Sequence, residues 1–166
     1  MAFLSAQPNL VAFGTLSADP FSIATNNVTR ILIGAAGGVA VQGDFSATGT
    51  KNFVEDHPTD PDKSIYYAAM EGGEAGTYVR GTAMLVNGKA VINLPEHFGM
   101  VTAGEGLTVQ LTPRGEWIQA YVVEVTPHKL VLRARNGKSG RIDYRVEGVR
   151  KGYADYQVIR SKSESK

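Results

Sequence analysis

The residues that could carry chemistry are few, and they gather in two places. His57 stands among Glu55, Asp56, Asp60 and Asp62. Carboxylates and an imidazole at this density are raw material for a cation site. Their spacing matches no metal motif, and no glycine stands where a calcium loop needs its tight turn. No metal and no cofactor is expected. Pro58 and Pro61 instead predict a solvated, proline-fixed loop, because proline has no N–H and cannot continue a central strand or a helix interior. Glu71 and Glu74 are the second place. Glycoside hydrolysis uses two carboxyls about 5–10 Å apart, but this pair lies on a glycine-rich run that holds them poorly. That run lacks the Gly-Lys-Ser/Thr ending of a phosphate loop. His57, His97 and His128 are scattered among turns. There is no Gly-x-Ser-x-Gly elbow and no His-Glu-x-x-His pair. No catalytic residue is expected, and the chain does not read as an enzyme.

Binding is the other chemistry on offer. Tyr66, Tyr67, Tyr78, Trp117, Tyr121, Tyr144, Tyr153 and Tyr156 exceed what a small β core needs. Tyr and Trp present a flat apolar face with a polar edge, which suits sugars and protein partners alike. Trp117, Tyr121, Tyr66 and Tyr153 are the candidate receptor contacts. Arg150-Lys151-Gly152-Tyr153 adds a basic and aromatic cluster, too short to make a nucleic-acid surface.

The elements that must position these residues follow from composition and pattern. The chain has 166 residues, 43% hydrophobic and 20% charged, which is a foldable balance. Its net charge of +1 supplies no global field for nucleic acid or an anionic membrane. Cysteine is absent, so disulfides and thiol chemistry are excluded. The N-terminal run has no basic region and is broken by Pro8 and Gly14, so it makes a poor signal peptide. No apolar run approaches the roughly 20 residues of a membrane-spanning helix, and no membrane insertion is expected. A protein of this kind working outside a cell would leave by lysis or through a dedicated machine.

Residues 1–50 carry only Asp19, Arg30 and Asp44 as charges. Short apolar runs around Phe21–Ile23, 28–33 and 39–41 alternate with Asn26-Asn27, 34–38 and Gly43-Asp44, which predicts strands and turns near ten-residue spacing. So few large side chains cannot offset roughly 1–2 kcal/mol of backbone entropy per residue within one chain. Identical copies that interleave strands would bury the apolar edges and leave none free. From 65 onward the strands are clearer. A strand is expected over 65–70, a hairpin from 78–86 to 89–94 through Asn87-Gly88, and strands over 107–111, 117–125, 130–134 and 142–146, with a further one over 152–159. A short turn or single helical turn is expected over 95–98. The expected fold is all-β: an intertwined trimeric β stem over 1–50, an antiparallel β-sandwich-like head over 51–160, and a polar tail over 161–166.

A resemblance supports this division. Lys51-Asn52-Phe53 with His57-Pro58 and Pro61, then Glu71, Tyr78 with Gly81, the run 90–95 with Phe98, the run 107–113, and Val146-Glu147-Gly148-Val149-Arg150-Lys151 resemble a recurring head module of bacteriophage tail fibres and related bacterial surface fibres. The runs 20–23, 30–33 and 38–50 are similar to the shaft repeats of such fibres. The resemblance covers roughly 18–155. It implies a homotrimer on a virion tail, a phage-derived injection device or a cell surface, gripping a glycan or protein receptor and joined to fibre or baseplate proteins. A purely structural connector and a glycan-degrading tip are the alternative roles. Many long members end in a self-cleaving chaperone segment bearing Ser and Lys; no such segment is read here, so autoprocessing is not expected.

Overall fold

A computed structural model describes residues 2–7 and 10–161. Among them are thirteen strands and one short α-helix, and every paired strand is antiparallel. The chain divides into two compact units at Ala69/Met70. The expected boundary after residue 50 lies upstream of this one. The reason is a hairpin: β6 (Asn52–Asp56) pairs with β7 (Ser64–Ala68) and, among the described residues, with no other strand. The stretch read as a loop is therefore a loop only at its tip. There the Asp62 amide donates to Asp60 Oδ1 (3.1 Å), Lys63 pairs with Asp60 (2.6 Å), and the Thr59 amide donates to His57 Nδ1 (3.3 Å).

The N-terminal unit begins with β1 (Ala2–Gln7) and β2 (Leu10–Thr15), a hairpin the sequence pattern did not suggest. A meander follows: β3 (Phe21–Thr25), β4 (Val28–Ile33) and β5 (Val39–Val41). Its first turn is Asn26-Asn27, both at positive φ (49° and 59°), as two-residue hairpin turns require. Between residues 12 and 69 no side chain is buried. In the β6–β7 hairpin Phe53 lies opposite Tyr67 and Val54 opposite Tyr66, and all four are exposed.

The C-terminal unit has a core of its own. β8 (Gly76–Leu85), β13 (Gly140–Val149) and β10 (Thr108–Arg114) form one sheet with β13 central. β9 (Lys89–Asn93), β12 (Lys129–Ala134) and β11 (Ala120–Val125) form the other with β12 central. Leu85, Leu130, Leu132, Ile142 and Val146 are fully buried and pack with Phe98 and Ile118. Each such side chain contributes about 1.5–3 kcal/mol of burial. Pro113 sits on edge strand β10, where a missing N–H costs least.

The expected hairpin through Asn87-Gly88 is present as a turn and different as a pair of strands. Val86 and Lys89 exchange both amide bonds (2.9 and 3.0 Å), with φ of 50° and 70° at the two central residues. Beyond that bridge β8 joins one sheet and β9 the other, so the turn stitches the two sheets together. Two further differences have simple causes. The strand expected over 117–125 starts at Ala120, where pairing to Ala134 begins. Residues 152–159 turn instead of pairing: the Tyr153 amide donates to the Arg150 carbonyl and the Tyr156 amide to the Tyr153 carbonyl. Of the expected tail, 162–166 lie outside the described residues.

The helix α1 (Glu96–Val101) lies where a single turn was expected, and Lys151 Nζ caps its C-terminal end by donating to the Gly99 and Met100 carbonyls (2.6 and 3.1 Å). Beside it Thr102, fully buried, donates to Thr77 Oγ1 (2.8 Å), which donates to the Gly148 carbonyl (3.1 Å). The buried hydroxyls are thus satisfied.

Gly88 carries the tightest demand. A Cβ there would lie 2.6 Å from Gly137 Cα and 3.0 Å from the Ala134 carbonyl oxygen, at a φ that L-residues avoid. Gly88→Ala is expected to destabilise the chain by roughly 1–3 kcal/mol, read as a lowered denaturation midpoint. An unchanged midpoint would contradict the stitching role of this turn.

Candidate functional site

In the β9–β12–β11 sheet, Ala120 and Val122 of β11 are half-buried while Tyr121 and Val123 are exposed. Before the strand begins, Ile118 is buried and Trp117 exposed, and the Ala120 amide donates back to the Ile118 carbonyl (3.0 Å). Gly140 leaves room for the Ile118 side chain, which occupies the position of a Cβ. A bulge at Val123, between the Val122–Leu132 and Glu124–Val131 pairs, adds a residue to this edge strand. The row through Tyr121 continues to Arg133 on β12 and Lys89 on β9, and the next row carries Val131 and Val91. Val91 is 68% exposed and Trp117 is 82% exposed. The backbone around Trp117 is fixed although its indole is not covered: Lys138 Nζ donates to the Trp117 carbonyl (2.7 Å) while pairing with Glu116 (2.9 Å), and the Arg135 amide donates to the Gln119 carbonyl (3.0 Å).

The four expected contact residues are carried by different segments of the chain. Tyr121 lies on the sheet face just described, and Trp117 is exposed on the segment that precedes β11. Tyr66 belongs to the β6–β7 hairpin of the N-terminal unit. Tyr153 is half-buried in the C-terminal turn, with the Arg150 guanidinium over its ring at 4.6 Å. The basic cluster 150–153 is largely spent within the fold, Arg150 on Tyr153 and Lys151 on the helix end.

The C-terminal unit also has a cleft of about 360 Å³, whose lining includes Glu71, Glu74, Tyr78, Arg145 and Glu147. Tyr78 lies opposite Glu147 in the β8–β13 pairing. The Arg145 guanidinium stacks over the Tyr78 ring at 4.4 Å and pairs with Glu147 (2.5 Å). Arg145 Nε is buried without a hydrogen-bond partner. The two glutamates considered from the sequence do meet in one site, with a third carboxylate that was not anticipated. The signal was available: Ile142, Tyr144 and Val146 alternate inward, which turns Arg145 and Glu147 outward side by side.

The histidines are placed as loop and packing residues. His57 accepts within its loop, His97 is exposed on α1, and the His128 ring fills the space beside Gly99. Among the described residues no three His, Asp or Glu side chains are arranged to hold a metal ion. Tyr144 lies opposite Gly81, its hydroxyl 2.6 Å from where a Cβ would stand, and burial pushes that hydroxyl's pKa above the ordinary tyrosine value.

Trp117 is the sole tryptophan and serves as a reporter. Its fluorescence maximum in the folded protein should lie close to that in denaturant. Trp117→Ala should change stability by less than about 0.5 kcal/mol. A strongly blue-shifted maximum would mean that the indole is covered in solution.

No family model, no curated protein and no solved structure matches this chain.

Proposed function

We propose that the chain is the tip of a homotrimeric fibre that binds a cell-surface glycan or protein through its C-terminal unit. One observation carries this reading: the N-terminal unit has strands, but among its described residues no side chain between 12 and 69 is buried. Phe13, Ile23, Val39, Phe45, Phe53 and Tyr67 are exposed on it. An isolated two- or three-stranded sheet without a covered face is marginal in water. Copies of the same chain supply the missing partner at no cost in new sequence, and a three-fold arrangement closes the strand edges. The sandwich-like head, by contrast, carries its own core and exposes Trp117 and Tyr121. Such a tip belongs on a virion tail, a phage-derived injection device or a cell-surface fibre, with fibre or baseplate proteins as its other neighbours.

Light scattering on the purified protein tests the assembly. The expected mass is three times 17.8 kDa and does not fall on dilution. A mass of one chain with a folded spectrum would remove the stem and leave a monomeric binding domain. A purely structural connector would give the trimer but retain no glycan or cell.

One observation favours a second, hydrolytic reading: Glu71, Glu74 and Glu147 line a single cleft. It predicts reducing ends released from a polysaccharide and abolished by Glu71→Gln or Glu74→Gln. For a binding tip the expected release is none.

A further inference from the structure

Like charges placed directly opposite each other on neighbouring strands repel, and a sheet tolerates them when a counter-charge sits alongside. The C-terminal unit contains three such pairs: Arg80 with Arg145, Arg114 with Arg141, and Lys89 with Arg133. Two are relieved. Arg145 holds Glu147, and Arg114 lies 3.5 Å from Asp143. The third is not. Neither Lys89 nor Arg133 has an ion-pair partner among the described residues. Glu124, an acid on the same face, is held by Lys129 at 2.8 Å. Both cations are exposed, and the third residue of their row is Tyr121. Residues 70–166 carry fourteen Lys and Arg against ten Asp and Glu, while 1–69 carry three against six. The positive charge of the protein is thus concentrated on the unit that bears this face.

We infer that the Lys89–Arg133–Tyr121 row is a binding site for a carboxylate-bearing polysaccharide. This rests on the receptor-binding reading and names the ligand class. Each group has a role in it. Arg133 offers a planar fork that matches a carboxylate in bidentate fashion. Lys89 supplies a second point charge one strand away, about 4.8 Å across the sheet. Tyr121 gives the flat apolar surface that a sugar ring covers. An open sheet face of this kind suits an extended chain of rings laid along it, with acidic groups toward the cations.

The test uses the full chain and sodium polygalacturonate as the probe, with neutral dextran, dextran sulfate and a single-stranded DNA oligonucleotide in parallel, at low and moderate salt. The expected result is binding to polygalacturonate that weakens with salt and falls about tenfold or more in Lys89→Gln/Arg133→Gln. Tyr121→Ala should weaken it several-fold, and dextran should not bind. Arg80→Gln, on the other sheet, should leave binding within about twofold. Equal loss in Arg80→Gln would overturn the site in favour of diffuse charge. So would binding to dextran sulfate or DNA without binding to polygalacturonate. A trimer mass that collapses in Lys89→Gln/Arg133→Gln would show the face to be covered by a second copy. An intact trimer that ignores polygalacturonate sinks this inference alone; a monomer that binds it keeps the site and sinks the trimeric stem.

Discussion

The C-terminal unit depends on a turn of two residues. Asn87 and Gly88 must both take positive φ so that β8 can reverse at once. The reversal is used unusually: the two strands part after one bridge and enter different sheets. Leu85 at the end of β8 and Ala90 at the start of β9 are therefore both inside, facing one core from two sheets. The space around the turn is already taken by Gly137 and Ala134 from the β12–β13 connection. That connection and the turn fix each other, with the Asn87 amide donating to Ser139 Oγ and the Ala134 amide to the Gly88 carbonyl. The outer face that carries Tyr121, Arg133 and Lys89 inherits its order from this arrangement, because Lys89 is the first residue after the turn.

The N-terminal unit poses the opposite problem. Its hydrogen bonds are made, strand to strand, and its turns are well chosen. Between residues 12 and 69 its side chains are exposed or at most half-buried. Backbone pairing fixes geometry but contributes only about 0.5–1.5 kcal/mol net per bond, and the apolar term that normally stabilises a sheet is small while Phe53, Tyr67, Ile23 and Val39 are exposed. The edge-to-face contact of Phe13 with Phe21, 5.1 Å between centroids, is a local exception and too small to serve as a core. On the proposed fibre reading, copies of the same chain would supply the cover for this apolar surface.

Much of this was legible in the sequence, and what was not has identifiable causes. The two asparagine turns announced themselves, since few residues other than Asn and Gly take positive φ readily. The inward sets on β12 and β13 followed from alternation. The strand β6 was hidden because Glu55 and Asp56 at its end merge with the acidic, proline-bearing tip of its loop. The residues 152–159 alternate well enough for a strand, but alternation says nothing about whether a partner strand exists to receive it. Tyr153 illustrates the limit for site residues: its type suggested a contact, and its own neighbour Arg150 occupies the ring.

The charge pairing shows what only the register can supply. In sequence Lys89 and Arg133 are 44 positions apart and unremarkable. Once β9 pairs with β12 they stand opposite each other, as do Arg80 and Arg145 on the other sheet. Composition alone, at a net charge of +1, would have dismissed electrostatics altogether. The distinction between the pairs lies in their surroundings: Glu147 follows Arg145 by two residues on the same face, whereas Arg133 is followed at that distance by Arg135, after the strand has ended. The repulsion on one sheet is settled within the fold. On the other it is left to whatever the face meets, and an unneutralised pair beside an exposed tyrosine costs some stability in the free protein that an anionic partner would return on binding.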